Sequence, residues 1–361
     1  MRQRGKILNV LLALVMPAGL IGVMTSCTPE ETSTAVVTTP AVVTQTVPGP
    51  TVTVTVTPEP APEPEPDFSV ATPRVRFKIA TTTSLYDTGL WYHLEPIFEE
   101  KAGVEMDIIY AGTGIALEYG RRGDVDAVIV HDRAAEDKFI GEGYGIDRRN
   151  FGYNFFLIAG PENDPAGIKG LTAAEAFKKI HDMGLSDPDS VKFVSRGDLS
   201  GTHSKEKLIW KAAGYDYAKD IQGSGKWYVE AGKGMGPTLL MASEMGAYIL
   251  ADISTYLSYT KSNPLDITVL VEQDAIFLNV YAAIAINPEK IPTAKIDVTV
   301  DFINWLMSDE VQNILATYGL EEYGRSLFNP IARGAEDGSI NLAGFPPKED
   351  YTTPVPKYVK Q

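Results

Sequence analysis

The sequence predicts an α/β protein of two lobes, with mostly parallel sheets and a ligand cleft between the lobes. Three observations lead there. From Val75 onward, short apolar runs alternate with amphipathic helical segments, the pattern of βαβ units. The alternation comes as two series, followed by a return of strands and a helix toward the C-terminus. Loops rich in Gly, Ser and Thr follow the strands, where open α/β sheets hold their ligands.

The first 73 residues are of another kind. MRQRGK, the apolar ILNVLLALVMPAGLIGV and Met24-Thr25-Ser26-Cys27 read together as a secretory signal over residues 1–27. The last four residues resemble a bacterial lipobox with Cys27 as the lipidated position; an uncleaved N-terminal anchor helix is the alternative. Either way the body is expected outside the cytoplasm, held at the outer face of the cell membrane. Cys27 is the only cysteine in 361 residues, so no disulfide or thiolate metal site is expected. Residues 28–73 carry acids but no Lys or Arg and are dense in Thr, Val and Pro. They read as a disordered tether, with a reach of roughly 40 Å if flexible and roughly 140 Å if polyproline-stiff. The net charge of −15 argues against a broad basic face and so against nucleic acid. An anionic ligand must then be won by local donors.

In the body, VRFKIA is the first strand, and LWYHLEPIFEEKAG a helix with Leu90, Leu94, Ile97 and Phe98 on one face, closing at Gly103. VEMDIIY and VDAVIV are strands, each followed by a helix, GIALEYGRR and RAAEDKFIGEG. The second series runs helix AAEAFKKIHDMG, strand VKFV, helix KEKLIWKAAG, strand WYVEA and helix GPTLLMASEMGAYIL. Strands ITVLVE and VYAAIAIN follow, then one long helix around VDFINWLMSDEVQNILATYG. YNFFLIAGP and VYAAIAIN are the expected crossings. Lobe one then takes 74–157 and 278–361, and lobe two 158–277.

Four loops occupy equivalent places, each between a strand end and a helix start. They are TTTS (Thr81 to Ser84), AGTG (Ala111 to Gly114), SRGDLSGTH (Ser195 to His203) and GKGMG (Gly232 to Gly236). Any one reads as a cap or a tight turn; four on one architecture point to an anion held by hydroxyls and helix N-termini. Arg196 directly follows the strand VKFV, so its planar fork of donors is expected to enter the cleft. Ser200, Gly201 and Thr202 add donors at the helix start. Asp198 either braces Arg196 and the loop or is a surface turn residue.

Arg196 followed by Ser200-Gly201-Thr202 resembles the anion loop of periplasmic phosphate-binding proteins. With ATTTSLYDTGL, the segment from Ala111 to Gly145 and WYVEAGKGMGPTL, the chain resembles more closely the tungstate-binding components of bacterial and archaeal ABC uptake systems. The resemblance spans about residues 75 to 332. It implies a type II periplasmic-binding-protein fold and a site of Thr82, Thr83 and Ser84 facing Arg196, Ser200, Gly201 and Thr202. Thr113, Gly234 and Met235 are further candidates. Leu199 stands where many relatives carry a polar residue, and is expected to point away. The family implies no cofactor, a membrane permease as partner, and a monomer.

Tungstate, molybdate and sulfate carry no proton near neutral pH and need donors alone, whereas hydrogen phosphate also needs an acceptor. The loops TTTS, AGTG and SGT hold no acid. Asp132 entering the cleft favours phosphate; His131 entering it as a donor favours a fully deprotonated oxoanion. The competing class is a serine hydrolase built on GDLSG and His203, but a base placed to serve Ser200 is not evident. A sensor using the same fold is a third reading.

Overall fold

The chain enters its first sheet through β1 (Val75–Thr82), which runs into a single helical turn, α1 (Thr83–Tyr86). α2 (Leu90–Ala102), β2 (Val104–Ala111), α3 (Thr113–Arg122), β3 (Ala127–Val130) and α4 (Arg133–Gly141) complete the first series. β4 (Gly145–Gly160) is a crossing strand of 16 residues. The second series is α5 (Ala173–Ser186), β5 (Phe193–Ser195), α6 (Gly201–Ala212), β6 (Tyr228–Glu230), α7 (Met235–Met245), β7 (Ile249–Asp252), α8 (Ile253–Ser262) and β8 (Thr268–Val271). The return is β9 (Leu278–Ile286), α9 (Ile296–Leu306), α10 (Asp309–Thr317) and β10 (Asn329–Pro330). This computed structural model describes residues 74–272, 274–332 and 344–359. The expected signal segment, Cys27 and the tether lie outside them. Among the described residues no helix is long and apolar enough to cross a membrane.

The main path of the large sheet has the order β10-β4-β9-β3-β1-β2, and β7 and β8 also pair with β4. The βαβ pairs are parallel: β1 with β2, β1 with β3, and β5 with β6. Each antiparallel pair involves a crossing strand, β4 or β9. β4 changes neighbours within one step: Phe155 faces Leu278 of β9, and Phe156 faces Asp252 of β7. One connection between the lobes is therefore continuous strand, whereas the return from β8 reaches β9 through a short turn at Ala275–Phe277.

Each lobe buries its own core. One aromatic cluster joins both ends of the folded chain, with Phe302 edge-on to Phe77 and Phe98 at 5.2 and 4.9 Å between ring centroids. The other gathers Phe177, Phe193, Trp210, Trp227 and Tyr228, with Trp210 at 4.4 Å from Phe177. Separate cores let the lobes behave as rigid units about the crossing strands.

Two sequence expectations change. The long C-terminal helix is two helices, because Ser308 takes extended dihedrals as the cap of α10 and interrupts the run after Met307. The segment GPTLLMASEMGAYIL ends as a helix at Met245. Gly246 takes the left-handed conformation there, and Ile249 onward forms β7. A short apolar run carries no period that separates strand from helix, which is why AYIL was merged.

Candidate anion site

Three of the four loops lead into true helix N-termini, those of α3, α6 and α7, capped by Gly112, Ser200 and Gly234. None of these helices has an acid in its first turn. By contrast α4, α5, α9 and α10 carry Glu136, Glu175, Asp297 and Asp309 there, while α2 and α8 also carry none. An acid in the first turn stabilises a helix by satisfying its positive end; omitting it leaves that end for a ligand.

The loops meet across the lobes. Arg196 Nη2 donates to Thr83 Oγ1 at 3.1 Å. Ser84 Oγ lies 3.1 Å from His131 Nε2. Gly201 packs its backbone directly on the His131 ring: a Cβ there would stand 2.6 Å from Cε1. Gly112 approaches the carbonyl of Asp198, to which a Cβ would stand 3.4 Å, and Gly234 lies similarly beside Thr83 at 3.9 Å. Thr82, Thr83, Ser84, Thr113, His131, Arg196, Ser200, Gly201, Thr202 and Gly234 are thus on loops that touch one another.

Two of the hydroxyls are helix caps. Thr82 Oγ1 caps α1 by accepting from Leu85 N at 3.3 Å, and Ser200 Oγ caps α6 by accepting from His203 N at 3.2 Å. Capping uses a lone pair, so the Ser200 O–H still has a hydrogen bond to give, whereas Thr82 Oγ1 also lies 3.3 Å from Ser84 Oγ and either of the two can donate. Other donors lack any protein partner: Thr113 Oγ1, Thr202 Oγ1 and Arg196 Nε are buried and unpaired, and so is the His131 ring nitrogen Nδ1. A buried polar atom left unpaired costs about 1–3 kcal/mol, so a cluster of them marks a place built for something else to bind.

Arg196 is 2% exposed. Burial pulls its pKa below the ordinary value while Asp198, Asp87 and Asp252 oppose that, and a guanidinium stays charged throughout. Asp198 Oδ2 accepts from Nη2 at 2.5 Å and Oδ1 accepts from Ser200 N at 3.2 Å, so Asp198 braces both the cation and the loop. Leu199 is 68% exposed and points out of the loop, at a φ of 58°.

Asp132 uses its carboxylate to cap α4, accepting from Ala135 N at 3.2 Å. Met235 differs from the other candidates: its side chain is buried in a hydrophobic cluster with Val194 and Leu239, leaving only its backbone N–H to face a ligand. The hydrolase arrangement is not formed. His203 takes Leu199 N on Nδ1 at 3.2 Å and meets the Tyr217 hydroxyl with Nε2 at 2.8 Å, so its ring does not serve Ser200.

A buried polar group beneath the loops was not anticipated. Asp252 Oδ2 accepts from Asn279 Nδ2 at 2.9 Å and from the Tyr281 hydroxyl at 2.8 Å, and Oδ1 takes the amides of Ser254 and Thr255 at 2.9 and 3.1 Å. Asn279 Nδ2 also donates to Asn154 Oδ1 at 2.8 Å, tying β9 to β4 at the crossing. Thr255 Oγ1 donates to the carbonyl of Ser84 at 3.1 Å, so α8 supports the TTTS loop from below. The sequence signal was a lone Asn in each apolar crossing run, YNFFL and FLNVY.

Comparison with known proteins fits this geometry. The PBP superfamily domain model matches residues 37–310. The chain is 44% identical over 258 residues to a Haloferax volcanii protein assigned as an ABC transporter anion-binding protein, covering 70% of this chain and 71% of that one. It is 40% identical over 257 residues to a tungstate-binding protein of Peptoclostridium acidaminophilum, covering 70% and 85%. The crystal structure of the tungstate ABC transporter from Geobacter sulfurreducens superposes with a TM-score of 0.60 at 45% identity, covering 67% of this chain and 98% of that one. The chain belongs to the PBP superfamily and has the two-lobed type II periplasmic-binding-protein fold.

Proposed function

We propose that this chain is the substrate-binding component of an ABC uptake system, and that it captures a fully deprotonated tetrahedral oxoanion, tungstate foremost, between its lobes. The observation that carries the reading is the set of unpaired buried donors on Thr113, Arg196 and Thr202, on loops in mutual contact. Of the acids nearby, Asp198 is committed to Arg196, Asp132 to α4 and Asp252 to the crossing strands, while Asp87 is exposed. Hydrogen phosphate would bury its proton against donors. Tungstate over molybdate rests on relatives that bear the name tungstate-binding.

Lobe one (74–157 and 278–361) and lobe two (158–277) close on the anion by bending at the crossing strands, and the closed form delivers it to a membrane permease. The protein is a binding protein rather than an enzyme, held at the membrane by a lipid on Cys27. Calorimetric competition tests the ligand: tungstate binds, and phosphate binds at least roughly a hundredfold more weakly, the cost of one unsatisfied buried group. Equal affinity for phosphate overturns the reading. Replacing Cys27 with Ser shifts the protein from the membrane to the soluble fraction if the anchor is the lipid, and leaves it in place if it is not.

A further inference from the structure

The ring of His131 sits at the junction of the two polar groups described above, with one nitrogen on each side. Nε2 lies 3.1 Å from Ser84 Oγ, in the donor cluster. Nδ1 is buried and unpaired, and so is Asn279 Oδ1. Asn279 lies beside the ring, and its carboxamide favours the charged imidazolium. The orientation of that carboxamide is fixed independently, since its Nδ2 already donates to Asn154 Oδ1 and Asp252 Oδ2. The atom it turns toward the imidazole is therefore an acceptor, and each orphan is the natural partner of the other.

This arrangement decides what Ser84 can do. If Nε2 is bare, it takes the Ser84 proton, and the hydroxyl has nothing to give an anion. If Nε2 carries a proton, it donates to Ser84 Oγ, and the Ser84 proton is released toward the cleft, where an anion competes for it with Thr82 Oγ1 at 3.3 Å. A ring protonated at both nitrogens satisfies Asn279 and Ser84 together. The surrounding charge supplies the motive. Arg196 is already paired with Asp198, and Asp252 is a buried carboxylate, so a dianion enters a site with little net positive charge.

We propose that His131 is a positioning residue that acts on the anion through Ser84: held by Asn279, it takes up one proton as the anion binds and turns the Ser84 hydroxyl toward it. This rests on the oxoanion reading. The proton comes from solvent and resides on the ring as a second N–H; no covalent bond to the anion forms. The charged groups facing the ring are Asp252 at the start of α8, Asp132 on its own strand end and Arg196 from the β5–α6 turn. Lys205 of α6 and Arg148 of β4 share a cavity of 460 Å³ with it. In the free protein burial keeps the imidazole below its ordinary pKa of 6.5, hence neutral at pH 7 and above. A bound dianion raises it.

The test is calorimetry of the intact protein with micromolar tungstate between pH 6.5 and 8.5, in buffers of differing ionisation enthalpy. Wild type takes up close to one proton, and its affinity falls as pH rises, by up to about tenfold per pH unit. His131→Gln keeps a donor toward Ser84 but cannot titrate, so its profile is flat; Ser84→Ala binds more weakly and takes up little or no proton. A wild type with no proton uptake and a flat profile overturns the proposal without folding any variant. Full uptake retained in Ser84→Ala shows that the ring answers the anion directly, which overturns the relay. Absence of heat with every oxoanion tried defeats the oxoanion reading itself, and the relay with it.

Discussion

The turn between β5 and α6 has a buried polar group on each side, and the two are built on opposite rules. On the cleft side, Arg196, Thr202, Thr113 and His131 each keep a polar atom without a partner. On the far side, Glu206 accepts from Ser195 Oγ at 2.5 Å, Trp210 Nε1 at 3.0 Å and the Tyr228 hydroxyl at 2.7 Å. The Tyr228 hydroxyl meets that of Tyr217 at 3.0 Å, and Tyr217 meets His203, which in turn holds Leu199 N. One group is left open and costs stability; the other is saturated and fixes the turn. The saturated side is what allows Leu199 to be held at φ 58°, a conformation that costs roughly 1–2 kcal/mol for a residue with a side chain. Ser195 Oγ adds a clamp by accepting from Gly197 N at 3.2 Å, so Arg196 is pinned between two fixed neighbours. The two sides of this one turn thus differ in saturation rather than in burial or polarity.

Breaking the open side should remove binding and spare the fold. Arg196→Ala is expected to weaken oxoanion binding by about 2–5 kcal/mol, the range for truncating one partner of a buried charged contact. Its melting temperature should fall less than its affinity, because Asp198, left without Arg196, still accepts from Ser200 N. Calorimetry showing unchanged affinity would sink the site assignment.

Breaking the saturated side should do the reverse. Glu206→Ala leaves three buried donors without their acceptor and is expected to cost about 3 kcal/mol of folding stability, the scale of a few unsatisfied groups after relaxation. Urea denaturation measures it. A variant as stable as wild type would mean that the network is incidental. A narrower probe lies where the two sides of the cleft touch. Gly201→Ala places a methyl against the His131 ring, 2.6 Å from Cε1, on a helix N-terminus that alanine tolerates. It should reduce affinity by roughly tenfold, about 1.4 kcal/mol of steric resistance to closure, with little change in stability.

The open side was far more legible in the sequence than the saturated one. TTTS, AGTG, SRGDLSGTH and GKGMG stand out because the same hydroxyl- and glycine-rich junction recurs four times, although any one alone reads as a cap or a turn. Glu206 sits within KEKLIW, where nothing local separates a buried acceptor from a solvated helical charge. Trp210 is one helical turn away, but the other partners, Ser195 and Tyr228, lie 11 and 22 residues off, brought there by packing that no local pattern encodes. α8 was missed for a related reason: the apolar run AYIL led into it without a break, so Asp252, its cap, was never seen as one. The crossing strands were found because their apolar runs are long, yet the asparagines in them carry the link between hinge and site.

The effect most specific to the saturated side is its response to pH. Three donors favour the Glu206 carboxylate, burial opposes it more strongly, and the balance puts its pKa up at about 7. The unfolded chain releases that proton near the ordinary 4.5. Between these values the folded state holds more proton than the unfolded one, so this contribution to stability is present at the acid end and is lost as pH rises toward 7. The slope is at most about 1.4 kcal/mol per pH unit for one proton. Glu136, also buried and raised to about 7 beside Arg148, adds a slope of the same sign, so wild type alone does not isolate Glu206. The difference between wild type and Glu206→Gln does, because glutamine keeps the shape and has no proton to lose. Urea denaturation should show wild type losing ground to Glu206→Gln from pH 5 to 7, with the gap constant above. A gap that does not move with pH means that the three donors outweigh burial and hold Glu206 ionised throughout, a permanent negative charge behind the anion loop.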